Sequence, residues 1–130
     1  MPRYTIMFKK ILAILPILLL TGCATTFTRL TPLQQPRNPN NLYPVEVAFN
    51  TRQQSLRWKS IQPYIMVGSE SYPMRQTPRM KNRWEGLLPV PPGVSMVKYR
   101  YKFDFQYTEF GGPSPDSASS PEYILRVFDQ

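Results

Sequence analysis

Residues 96–107, MVKYRYKFDFQY, constrain the fold more than any other stretch. Val97, Tyr99, Tyr101, Phe103, Phe105 and Tyr107 fall on one parity, and Lys98, Arg100, Lys102, Asp104 and Gln106 on the other. A strict period of two over this length marks a strand with one buried and one wet face. Other segments read the same way. YPVEVAFN sets Val45, Val47 and Phe49 on one side, and QPYIMVG is a short apolar strand ended by Gly68. RWEGLLPV aligns Trp84, Leu88 and Val90 with Gly86 leaving a gap, and EYILRVF forms the last strand. The connections TRQQS, VPPG and FGGPSPDSASSP are turn formers, the last a flexible hairpin connection. After residue 23 no stretch carries helical periodicity. The expectation is an all-β chain, a single β-sandwich over residues 43–130.

The N-terminus follows a different logic. Arg3, Lys9 and Lys10 precede the apolar run ILAILPILLL and then small residues, the layout of an export signal. The run is too short for a helix across roughly 30 Å of hydrocarbon, and Pro16 interrupts it. Leu20-Thr21-Gly22-Cys23 resembles a bacterial lipobox. That resemblance implies cleavage before Cys23, a diacylglycerol on its thiol and an acylated new amino terminus. The protein is then exported and membrane-anchored, and Ala24 in place of Asp points to the outer membrane in an enterobacterium-like diderm. Translation starts at Met1 or at Met7, since the signal is complete from either.

Residues 1–22 are thus a leader, and its loss leaves 108 residues, enough for one small domain. Losing three basic side chains takes the net charge from +8 to +5. The segment 23–42 is rich in Thr, Pro, Gln and Asn and lacks apolar periodicity. It reads as a disordered tether; the competing reading is an arm lying along the domain, anchored by Phe27 and Leu30. The chain has no histidine and one cysteine. It therefore lacks the usual zinc and copper ligands, Ser-His-Asp and Cys-His catalysis, and any internal disulfide. No metal or cofactor is expected.

Residues 64–105 resemble the early-set immunoglobulin-like domains, among them the glycogen-binding and pullulanase-type modules. Val67-Gly68-Ser69, Trp84, Leu88 with Pro92-Gly93, and Tyr101-Lys102-Phe103 follow in that family's order. The resemblance implies the sandwich fold and, for sugar-binding members, two stacking tryptophans and a lysine on sugar hydroxyls. Here Tyr72 stands at the first tryptophan's place, Tyr107 and Phe110 lie near the second, and Lys102 matches the lysine. These four are the candidate ligand-binding residues.

Arg75, Arg79, Lys81, Arg83, Lys98, Arg100 and Lys102 oppose only Glu85 within 75–102. They form either a basic face for anionic partners or an ordinary solvated sheet surface. Glu85 and Asp104 are the carboxylates to weigh as an acid/base pair, but such residues commonly pair with basic cross-strand neighbours. The expected function is a non-catalytic envelope lipoprotein whose sandwich docks another envelope protein or serves structurally. The alternative is a glycan-binding module, for glucan or acidic polysaccharide, displayed at the membrane. Nucleic acid is not an expected partner, because no recognition motif is present.

Overall fold

The structure, a computed structural model, describes residues 25–129. The expected leader and the lipobox cysteine, Cys23, lie outside the described residues. Ten strands follow in order: β1 (Thr25–Arg29), β2 (Gln34–Pro36), β3 (Leu42–Thr51), β4 (Gln62–Val67), β5 (Glu70–Pro73), β6 (Arg75–Gln76), β7 (Arg83–Pro89), β8 (Met96–Glu109), β9 (Gly112–Ser119) and β10 (Tyr123–Phe128). A 3₁₀ turn, Trp58–Ser60, sits between β3 and β4. One sheet has the order β1-β3-β7-β6, and the other β2-β10-β8-β4-β5 with β9 also on β8. The two sheets pack face to face as a β-sandwich.

The alternation in β8 is the core. Tyr99, Tyr101, Phe103, Phe105 and Tyr107 are buried, whereas Lys98, Arg100 and Gln106 are exposed. From the facing sheet come Tyr43, Val45, Val47 and Phe49 of β3, and Trp84 and Leu88 of β7. Phe49 lies 4.9 Å from Phe103 and 5.7 Å from Phe105, ring centroid to centroid, and Trp84 meets Phe103 edge-on at 5.1 Å. The gap at Gly86 is filled by its neighbours: a Cβ there would stand 3.0 Å from Ile65 Cδ1 and 3.1 Å from Met74 Cγ.

Two expectations are corrected. From Thr25 onward the segment 23–42 is not a tether but an arm belonging to both sheets. β1 pairs antiparallel with β3, from Thr25↔Thr51 to Arg29↔Val47, and β2 pairs parallel with β10. Phe27 is an anchor as expected, 5.1 Å from Phe49 and 5.2 Å from Phe103. Leu30 is exposed, and the buried anchor is Thr31. Its hydroxyl accepts the Glu46 N–H at 2.8 Å and lies 3.1 Å from the Glu46 carbonyl.

The second correction concerns residues 110–121. Only Phe110-Gly111 form the loop, because Glu109 already faces Gly112 and β9 pairs with β8 through Lys102↔Ser119. The Ser120 N–H donates to the Tyr101 carbonyl at 2.9 Å, which aims even-numbered β9 residues at β8. Pro113 and Pro115 therefore sit where an N–H would point away from the sheet, the place an edge strand tolerates proline. Between Tyr99↔Tyr123 and Lys102↔Ser119, β8 advances three residues and its partner four. β9 and β10 are thus one bulged strand. The Ser120 hydroxyl holds the bulge by accepting the Tyr101 N–H at 2.8 Å.

Candidate functional site

A groove of about 1190 Å³ lies on the outer face of the first sheet. Its floor consists of cross-strand pairs that face away from the core: Leu42↔Pro89, Pro44↔Leu87 and Glu46↔Glu85. One wall is the arm from Leu30 to Pro36, and the other is Tyr72, Pro73, Met74 and Arg75. Leu87, Leu42 and Leu30 expose their side chains there, Leu87 at 52 % of its area.

The arm's path explains its wall. β1 leaves β3 at Leu30, whose N–H donates to the Glu46 carbonyl at 3.2 Å. Beyond it, side chains take over the pairing of the β3 edge: Thr31 serves Glu46, and Gln35 Nε2 donates to the Pro44 carbonyl at 2.9 Å. Prolines 32, 36 and 44 have no N–H to satisfy, so the segment crosses between sheets at little hydrogen-bonding cost.

The opposite side of the groove holds a strand edge that β6 pairs only in part. Val90 N–H donates to the Asn41 carbonyl, and Phe49 N–H to the Asn82 carbonyl, so even-numbered residues of β7 point their backbone groups at β3. Odd-numbered ones point the other way, as the bond from Thr77 N–H to the Arg83 carbonyl confirms. On that side β6 pairs only Arg75 with Glu85 and Gln76 with Trp84. Leu87 has no paired strand there among the described residues. Charge is confined to one end of the groove, where Arg75–Glu85 lie 3.2 Å apart and Arg83–Glu46 3.9 Å.

The four expected ligand-binding residues do not converge. Tyr72 pairs with Ile65, which pairs with Tyr101, so Tyr72 faces the inner side and packs against the core. Lys102 lies on the opposite, outer side of the same sheet, 3.8 Å from Asp104. Tyr107 is buried in the core, and Phe110 stands fully exposed at the hairpin tip. The expected single basic face is corrected too. Arg75 and Arg83 lie on the outer face of the first sheet, and Lys98, Arg100 and Lys102 on that of the second. Arg79 and Lys81 lie in the β6–β7 turn. Glu85 and Asp104 stand on opposite outer faces and pair with Arg75 and Lys102, so they share no site.

Trp58 went unnoticed in the sequence, because a single tryptophan in a polar turn has no periodicity. It stacks on Trp84, 6.2 Å between centroids and 5° between planes, and Lys81 Nζ sits 4.9 Å above its ring. Comparison of the chain with protein-family models, with curated proteins and with solved structures finds no match.

Proposed function

We propose that the chain is a membrane-anchored lipoprotein of the cell envelope, attached through Cys23, whose sandwich is a non-catalytic docking module. The occupant of the groove is an extended, apolar segment of another envelope protein, added as a strand along the part of the β7 edge that β6 leaves unpaired. The observation that carries this reading is Leu87: an exposed leucine whose backbone faces an unpaired edge within an apolar groove. Strand addition of this kind draws affinity from main-chain hydrogen bonds and specificity from alternate side-chain pockets. Kinship with the early-set domains belongs to the same proposal, supported by the strand order. The glycan alternative loses its footing, since Tyr72, Lys102, Tyr107 and Phe110 present no common surface.

Two measurements test the reading. Metabolic labelling with a palmitate analogue should mark the wild type and not Cys23→Ala; an unlabelled wild type ends the lipoprotein part. A photocrosslinking residue at Leu87 should give one discrete protein adduct in cells, lost on Pro44→Asp, while the same probe at Lys98 gives none. Equal adducts from both positions would remove the docking part.

A further inference from the structure

One end of the sandwich gathers four features that lie apart in sequence. Thr25, the first described residue and two positions after Cys23, pairs with Thr51 at the end of β3. The loop that follows runs beside β8 near its tip: Thr108 N–H donates to the Ser55 carbonyl, Arg57 N–H to the Gln106 carbonyl, and Leu56 bridges Tyr107. The β6–β7 turn joins the same loop through Lys81 over Trp58. Beyond them projects the β8–β9 hairpin, with Phe110 fully exposed on a two-residue loop.

The charge at this end differs from that on the faces. Residues 52–61 contain Arg52, Arg57 and Lys59, the turn 77–82 contains Arg79 and Lys81, and neither segment has a carboxylate. All five side chains belong to exposed residues. Among the described residues none of the five is ion-paired, whereas Arg75, Arg83, Arg100 and Lys102 on the sheet faces each have an acidic partner. Glu109 flanks the tip on the hairpin stem. Arg79 is fixed in a left-handed conformation, φ 67°, which holds the tight turn that presents it with Lys81.

We infer that this end of the sandwich is a second membrane contact, seated on an anionic phospholipid surface. The inference rests on the lipoprotein reading for its orientation: at most about 7 Å of chain separates Cys23 from Thr25, so an acylated Cys23 holds this end, and no other, against the bilayer. The five cations meet phosphate headgroups, and Phe110 enters the interface, where an aromatic ring is favoured. The groove, on the outer face of the first sheet, stays open to the aqueous side for a partner.

The test uses the chain from residue 23 carrying Cys23→Ala, which keeps every described strand and removes the acyl anchor. It is sedimented with vesicles of phosphatidylcholine alone or mixed with phosphatidylglycerol. Binding should require the anionic lipid and weaken as salt rises. Reversing Arg79 and Lys81 to Glu should weaken it at least tenfold, since each basic side chain near such a surface contributes roughly fivefold. Phe110→Ser should weaken it as well, and in Phe110→Trp the new indole should be quenched by brominated lipid. Reversing Lys98 and Arg100 should change little. A protein that ignores anionic vesicles, or that responds equally to both charge reversals, overturns the inference. Palmitate labelling decides the anchor separately: a labelled protein whose unlipidated form does not bind vesicles loses this contact alone.

Discussion

Gly86 and Ile65 meet across the core with no space for another carbon. The glycine's place on the inner side of β7, opposite Val45, is where the β4 side chain enters. Ile65 is fully buried, and Met74, on the other side of the same position, is unbranched and can shift.

Gly86→Ala is therefore expected to overpack the core and cost about 1–3 kcal/mol in urea unfolding. Combining it with Met74→Ala should cost less than the sum of the two single variants, because the second change makes room for the first. Strict additivity would mean that Met74 does not fill the space left by the glycine.

Phe103 and Arg100 separate the two sides of β8. Phe103 touches Phe27, Phe49 and Trp84, and Phe103→Ala should cost about 3–5 kcal/mol. Arg100 makes one exposed ion pair, 3.6 Å from Glu122, and Arg100→Ala should stay within about 1 kcal/mol of wild type. Similar losses in chemical denaturation would contradict the register of the central strand.

The parity of β8 made this much legible in the sequence, because six apolar residues alternating with five polar ones leave only one face to bury. The same parity separates Lys102 from Tyr107, a signal that argues against one sugar platform when read for side rather than for order. The arm was less legible. Its residues show no periodicity, since it is held by two side chains, Phe27 and Thr31, and by pairing with distant β3 and β10. β9 was hidden by its composition: proline, serine and glycine read as a loop unless the edge position that accommodates them is known. The groove is assembled from residues 30–36, 42–46, 72–75 and 85–89, and only the folded register brings Leu87 beside Pro44.

Thr31 is where the arm's anchoring is most exposed to test. Thr31→Val keeps the shape but leaves the Glu46 N–H without its 2.8 Å acceptor in a nearly closed site. The cost should be about 1–3 kcal/mol. Thr31→Ser retains the hydroxyl and should lose clearly less. Should the two variants unfold at the same urea concentration, the hydrogen bond is not what fixes the arm.

Alkaline pH addresses Tyr101. Burial, helped by the neighbouring Tyr99 ring, pushes its phenol well above the ordinary tyrosine value. Burial raises Tyr123 and Tyr107 as well. A phenol of raised pKa holds its proton in the folded state after the unfolded chain has released it. Its contribution to stability is complete below about pH 10, where the unfolded chain begins to ionise, and declines as pH rises beyond that. Thermal midpoints should accordingly fall steeply above about pH 10. Tyr101→Phe should flatten that fall while changing the neutral midpoint little, because the hydroxyl's contacts with Thr31 Oγ1 and the Glu46 carbonyl are long, 3.4 Å each. If Tyr101→Phe and wild type lose stability in parallel between about pH 10 and 12, the alkaline limb belongs to other groups and Tyr101 is not the phenol that the core keeps protonated.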